Sequence, residues 1–437
     1  MHQDPVTAVV VGGGHRSQIY AEYALLRPQE LRIVAVAEPE PERRRWFAER
    51  FGIAAERCYE SAEELAAAGR LADAAINGTM DQLHVPTSLP LLELGYGLLL
   101  EKPFALNEVE LSQLTEVAGR RDSRVMICHV LRYAPFYRAI YEQIAAGAIG
   151  DIVCITMEER IGYGPAAVSY VRGKWADRHI CGAPMLLAKA CHDLDLLTWF
   201  NRARPERLVS LGAERLFHPS MRPAGATGRC FDPCPHIDSC PWSAKTDYLE
   251  HTERYEGYLW TEIPDLAALT ETQKRRYLHE ETDWDRCVWV CNRDNVDWQS
   301  LIVRFADRSA GVFTMSSGAA KPERTISIVG SHGQIEGDYL SECFTLRRSR
   351  PQEASGWTEV EIDTRGRETN GFTGRHGGAN MRMMQDFVRM MRGEELSFSA
   401  TTLDDSITGH LVAMKAVEAM DEGTVVDMDG ALRAFGC

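Results

Sequence analysis

Two lysines and one histidine carry the chemistry this sequence can offer. Lys102 stands between Glu101 and Pro103, directly after the apolar run Gly97-Leu98-Leu99-Leu100, and His192 lies in Lys189-Ala190-Cys191-His192-Asp193-Leu194-Asp195. An imidazole titrates near neutrality and so can take up or return a proton. A lysine at the end of a strand can hydrogen-bond a substrate hydroxyl and relay its proton while hydride leaves the carbon. Lys189, one turn before His192 on the same helix face, is a third catalytic candidate. Two lysines around one histidine depress its proton affinity, and Asp193 and Asp195 either offset that or cap and solvate. A surface lysine beside a helix-starting proline and a buried structural histidine are the plain alternatives.

A second set of residues points to a dinucleotide. Thr7 to Val11 is a short β-branched run, Gly12-Gly13-Gly14 follows, Ser17 to Leu26 has helical spacing, and Leu31 to Ala37 is a second apolar run ending at Glu38, 26 residues after Gly12. Glycines let the backbone turn sharply and approach a pyrophosphate, which the free N–H groups at a helix N-terminus attract. Gly12 and Gly14 meet the G-x-G-x-x-G pattern, and Ser17, still small, takes the third position. Glu38 would accept hydrogen bonds from an adenosine ribose and repel a 2′-phosphate, which predicts NAD rather than NADP; Arg43 and Arg44 argue the other way. The expected cofactor-binding set is Gly12, Gly14, His15, Arg16, Glu38, Thr79, His84, Glu101 and Lys102. An ordinary glycine turn that binds nothing is the alternative.

The elements that must position these groups alternate strand and helix through residue 128. Pro41 to Phe51 reads as a charged amphipathic helix, Ser61 as the N-cap of Ala62 to Ala68, and Ala72 to Asn77 as a buried strand. Leu83 to Leu94 and Leu111 to Arg121 read as helices, and Val125 to Cys128 as the last strand. The pattern is α/β, a doubly wound parallel sheet over residues 1–128 that binds ligands at the carboxyl ends of its strands, where Thr79 to His84 and Glu101 to Pro103 fall. Residues 129–437 change to alternating strands, Ile152 to Glu158, Asp297 to Phe305, Gly311 to Ser316 and Thr325 to Val329, joined by hairpin-like turns. They predict an α+β domain with a predominantly antiparallel sheet. Helices are expected over Pro184 to Phe200, Asn380 to Met391 and Asp404 to Met420. The loop Tyr170 to Trp175 offers Arg172 and Trp175, and Gly374 to Asn380 offers His376, as substrate-binding groups, with plain loop roles as the alternative.

Composition narrows the partners. With 45% hydrophobic and 25% charged residues over 437 positions the chain can bury a large core. A net charge of -15 excludes nucleic acid and anionic membrane as partners. No signal pattern precedes the first strand, and no apolar run reaches the ~20 residues that span a bilayer, so a cytoplasmic protein is expected. Five of the 12 cysteines, Cys230, Cys234, Cys240, Cys287 and Cys291, fall in an irregular insertion at about 217–293. In a reducing compartment that density suggests a structural zinc on Cys230, Cys234 and Cys240, with His236, Cys287 or Cys291 as fourth ligand; free or oxidised thiols are the alternative.

Taken in order, Gly12 to Ser17, Glu38, Glu101-Lys102-Pro103 and His192-x-x-Asp195 resemble the glucose-fructose oxidoreductase and inositol dehydrogenase family, often called Gfo/Idh/MocA. The resemblance covers most of the chain outside the insertion, and Glu-Lys-Pro is its most diagnostic motif. It implies a Rossmann domain, an open-faced sheet domain that supplies the substrate pocket and a homo-oligomer interface, and catalytic roles for Lys102 and His192. Many dehydrogenases of the family carry an aspartate four residues before the histidine, where this sequence has Ala188. The expected function is NAD-dependent hydride transfer with a carbinol carbon of a sugar, cyclitol or other polyol. A glycosidase using NAD in a transient oxidation and a non-catalytic dinucleotide-binding sensor or scaffold are the rivals.

Overall fold

The computed structural model describes residues 4–260, 263, 265–366 and 375–436, without the side chains of residues 375 and 376. Six strands, β1 (Val6–Val11), β2 (Leu31–Ala37), β3 (Cys58–Tyr59), β4 (Ala74–Asn77), β5 (Gly97–Leu100) and β6 (Val125–Ile127), form a parallel sheet in the order β3-β2-β1-β4-β5-β6. Strands buried on both faces need apolar residues throughout, and β4 and β5 are buried at every position. The chain runs outward from β1 to β3 and then returns to place β4 on the other side of β1. The crevice where strand order reverses therefore opens between the ends of β1 and β4, with Gly12 to Gly14 on one side and Gly78 and Thr79 on the other.

Local chemistry moves some helix ends from the expected positions. The first helix spans His15–Leu26, two residues longer than expected, because Gly14 supplies the extended N-cap conformation. Asn107 accepts from the Glu110 N–H at 3.0 Å and so starts the helix Glu108–Arg121 before the expected Leu111. Ser61 caps Ala62–Ala67 by accepting from Glu64, as its position predicted.

The second sheet has nine strands: β7 (Ile152–Gly162), β8 (Pro205–Ala213), β9 (Trp298–Phe305), β10 (Ala310–Ala319), β11 (Glu323–Gly330), β12 (Gly333–Asp338), β13 (Cys343–Ser349), β14 (Trp357–Asp363) and β15 (Val425–Asp427). Their order is β14-β13-β12-β11-β7-β10-β9-β8-β15, antiparallel except for the pair β7 and β10. Ile155, Met157, Leu301, Val303, Phe313, Met315, Ile326 and Ile328 face inward under the helices Met185–Asn201 and Leu403–Glu422. The opposite face is open, and the register places Leu211, Trp298, Ile302, Val329 and Trp357 on it. The two helices cross closely at Gly409, where an added Cβ would lie 2.7 Å from the Asp195 Cα. That crossing fixes the height of the helix carrying His192.

The insertion is less irregular than its composition suggests. It folds into short helices, including Glu256–Leu259 and Glu271–Arg276, around a small core of Phe231, Tyr248, Leu259, Trp260 and Leu278. Asp297 closes its base by accepting from the N–H groups of Arg215 at 2.6 Å and Phe217 at 3.1 Å. Among the described residues no helix is long and apolar enough to cross a membrane.

Candidate active site

The glycine turn is shaped for a dinucleotide. Gly12 has φ +79°, and a Cβ there would lie 2.8 Å from both the N and the Cα of Thr79, so only glycine lets the two loops approach. Ser17 stands against Gly78, where an added Cβ would meet the Ser17 Oγ at 2.2 Å. The missing side chain at residue 78 thus accommodates the serine in the third glycine position. Among the described residues no side chain caps the helix His15–Leu26, which leaves its first N–H groups for a pyrophosphate. Exposed His15 opens that helix.

Glu38, buried at the end of β2, accepts from the Gly13 N–H at 2.5 Å and from the Glu40 N–H at 2.9 Å. A carboxylate offers about four lone-pair directions, so two remain for ribose hydroxyls. Arg44 donates to the Glu38 and Pro39 carbonyls and pairs with Glu60 at 3.1 Å, so its guanidinium is engaged rather than waiting for a 2′-phosphate. Thr79 is set by Asn77, whose Oδ1 accepts from the threonine N–H and hydroxyl. Gly12, Gly14, Glu38 and Thr79 therefore fit an NAD molecule along the crevice.

Three further residues expected to touch the cofactor also hold the frame. Arg16 donates to Glu101 at 2.8 Å, to Tyr20 and to Asn380 at 3.0 Å, which locks the first helix to the end of β5. Glu101 is buried and also accepts from Tyr20 and from the Lys102 N–H. Burial alone would raise its carboxyl, but Arg16 and Lys102 outweigh that and hold it below the usual carboxylate value. His84 places Nδ1 2.7 Å from the Pro103 carbonyl and Nε2 3.1 Å from the Thr79 carbonyl, latching the loops after β4 and β5 together.

The catalytic candidates converge. Lys102, followed by a cis peptide bond to Pro103, donates through Nζ to the Ala188 carbonyl at 2.7 Å, one turn before His192. Burial first, and then the positive charge of Lys102, hold the His192 imidazole well below the ordinary histidine value, so it rests neutral. Lys189 is drawn elsewhere. Its Nζ lies 3.1 Å from Glu159 of β7, which also pairs with Arg324 of β11, and Arg324 reaches Asp193 at 3.2 Å. This four-residue network was not legible in sequence because its members come from β7, β11 and the helix. His129, also missed, follows β6 at the ligand-binding edge of the sheet, with its ring 5.6 Å from that of His192.

The loop before the histidine helix splits in two. Trp175 donates from Nε1 to Asp81 at 3.0 Å, and Lys174 reaches Met80, so this end of the loop lies over the segment after Thr79. Arg172, expected to bind substrate, faces the insertion: it donates to the carbonyls of Arg286 at 2.7 Å and Trp242 at 2.8 Å, to the Tyr248 hydroxyl at 3.0 Å and to Cys230 Sγ. It therefore anchors the insertion. The side chain of His376 lies outside the described residues.

The expected zinc site is also corrected. Cys230, Cys234, Cys240 and Cys287 line one small cavity, but no three of these sulfurs close to the mutual distances of a thiolate site. Cys230 faces Arg172, and Cys291 Sγ donates to the Cys287 carbonyl at 3.4 Å. Among the described residues, the ligand atoms that do gather within 4.8 Å belong to Asp177, His179 and Asp294, where Arg178 already binds Asp294 at 2.8 Å.

Comparison with known proteins agrees with this geometry. Residues 6–129 match the model of the Gfo/Idh/MocA oxidoreductase family, NAD-binding Rossmann fold, and residues 141–428 match that of its C-terminal alpha/beta domain. The protein YteT of Bacillus subtilis is 20% identical over 72% of this chain and 71% of its own length. Trans-1,2-dihydrobenzene-1,2-diol dehydrogenase of Xenopus tropicalis is 29% identical over 41% of this chain, which spans about half (52%) of that relative. Among solved structures, an oxidoreductase from Agrobacterium radiobacter in complex with NAD+, L-tartaric acid and magnesium aligns with TM-score 0.66 and 16% identity over 98% of this chain and 99% of its own. An inositol dehydrogenase homolog from Azotobacter vinelandii, complexed with NADH and myo-inositol, aligns with TM-score 0.65 and 16% identity over 97% and 98%. A glycine cradle at a Rossmann crevice, with Lys102 and His192 brought together beside it, and family models that together cover most of the sequence lead to one conclusion: the chain belongs to the Gfo/Idh/MocA family of NAD(P)-dependent oxidoreductases.

Proposed function

We propose that the protein is an NAD-dependent dehydrogenase of a polyol, sugar or cyclitol bearing vicinal hydroxyls. The observation that carries this reading is the meeting of Lys102, from the end of β5, with the helix turn that presents His192. Bound along Gly12, Gly14, Glu38 and Thr79, NAD would supply the hydride acceptor. Lys102 orients the carbinol hydroxyl, and neutral His192 takes its proton as the C–H bond is cleaved. Trp175, held over the segment after Thr79, covers the cleft and excludes water. Myo-inositol, L-tartaric acid and the dihydrodiol, the small molecules named with the relatives, all carry adjacent hydroxyls, which supports that substrate class.

Purified protein with NAD+ and a panel of vicinal polyols, read at the NADH absorbance, tests the reading. Net NADH equal to substrate consumed is expected. Consumption without net NADH would replace it with a transient redox step, and tight NAD binding with no turnover on any polyol would replace it with a sensor. We also infer a homo-oligomer through the open sheet face carrying Ile302, Val329 and Trp357, to be checked by sedimentation.

A further inference from the structure

His129 has no part in the chemistry above, yet it is one of the most enclosed polar groups near it. The side chain is 1% exposed, and among the described residues neither ring nitrogen has a hydrogen-bond partner. Leaving a buried donor and acceptor unmade costs about 1–3 kcal/mol, so an apolar residue would serve packing better. Its ring meets that of His192 edge to face, with centroids 5.6 Å apart and planes at 79°. On the other side its Nε2 lies 4.0 Å from the Asp195 Oδ1, and Asp195 is held by Arg132 through bonds of 2.8 and 2.6 Å. His192 Nδ1 is likewise sealed from solvent without a partner.

The geometry points to His129 as a second imidazole that receives the substrate's proton from His192 and holds it opposite Asp195. The inference rests on the reading that His192 takes the hydroxyl proton. His192 accepts that proton at the nitrogen facing the cleft and becomes an imidazolium. It then gives up its Nδ1 proton to the lone pair of a His129 nitrogen and returns to neutrality as the other tautomer. One N–H bond breaks and one forms, no electrons change hands, and the positive charge ends beside Asp195. The ring centroids stand 5.6 Å apart, so the transfer requires the two rings to turn their nitrogens toward each other.

The charged groups around His129 are of both signs, and Asp195 is the one that most favours a proton there. Asp195 and Glu101 are negative, Lys102 and Arg132 positive, and His192 and His410 face it from their helices. Burial lowers the proton affinity of both His129 and His192, so the pair rests neutral. Phe104 lies against the ring at 6.2 Å and closes the pocket on the side of β5.

The test follows the histidine ring nitrogens by NMR in the full-length protein saturated with NAD+ as pH is lowered. The expected result is that His129 and His192 titrate as a coupled pair in the wild type, sharing two midpoints, and that His129→Gln leaves His192 with a single step. With a polyol found by the NADH screen, His129→Gln should lower kcat at least ~10-fold while KM changes less than about two-fold. The acid limb of kcat should move to lower pH, because the proton loses one of its two seats, and His129→Asn should share these effects. Independent single-step titrations in the wild type would overturn the proposal even if the variants fail to fold, as would His129→Gln with unchanged kcat and pH profile. Coupled titrations with no turnover on any polyol would instead support the pair and overturn the dehydrogenase reading.

Discussion

The Lys102 ammonium donates a 2.7 Å hydrogen bond to the backbone carbonyl of Ala188, and this bond ties the end of β5 to the helix that carries His192. A lysine has three N–H donors, so it can keep that anchor and still donate to a substrate hydroxyl. The absence of a side-chain carboxylate at residue 188 therefore does not leave Lys102 unplaced. The backbone does the positioning.

Cofactor choice should follow Glu38. Glu38→Ala removes the acceptor for the ribose and the partner of the Gly13 N–H. We expect NAD to bind at least ~10-fold more weakly, a loss of about 1.4 kcal/mol, with NADP affected less. Titration of both nucleotides by protein fluorescence checks this; unchanged NAD affinity would contradict the assignment.

Acid should destabilise the protein through its buried histidines. His410 donates from Nε2 to the Ala105 carbonyl at 2.8 Å, and burial lowers its pKa to about 3. A histidine whose folded value lies below its unfolded one takes up a proton on unfolding. Stability is therefore lost as pH falls below about 6.5, by up to ~1.4 kcal/mol per pH unit for each such group, and the loss continues to the folded value. His410→Asn should make the thermal midpoint fall less between pH 6.5 and 5 than in the wild type. Parallel falls would show that His410 does not contribute.

Arg172 separates structure from catalysis. Its four partners lie in the insertion, and Arg172→Ala leaves them unpaired in a buried place. We expect a loss of roughly 2–4 kcal/mol in stability with NAD affinity unchanged. Thermal unfolding and NAD titration measure the two. A stable variant that loses only substrate affinity would restore the role first expected for this residue.

How far the sequence speaks for itself differs between these residues. The strand, glycine turn and acid at Glu38 were legible because each follows from a local requirement: buried strands need apolar runs, tight turns need glycine, and ribose recognition needs an acceptor at a strand end. Lys102 and His192 were legible by residue type, but their meeting depends on the crossing at Gly409. The partners of Arg172 were not legible, because an aromatic and basic loop looks the same whether it faces a ligand or a neighbouring segment. Its partners lie 58 to 114 residues away. Cysteine spacing likewise says nothing about whether the sulfurs converge, and His129, Glu159 and Arg324 gain meaning only from three-dimensional proximity.

The central claim is that Lys102 and His192 serve one proton path, and a double-mutant kinetic comparison on a polyol substrate tests it most directly. Lys102→Met and His192→Gln should each lower kcat by about 100-fold or more, with NAD affinity changed less than about two-fold. The double variant should be little slower than the slower single one, because the second removal takes away nothing that still works. Near-normal turnover in both single variants would contradict the account.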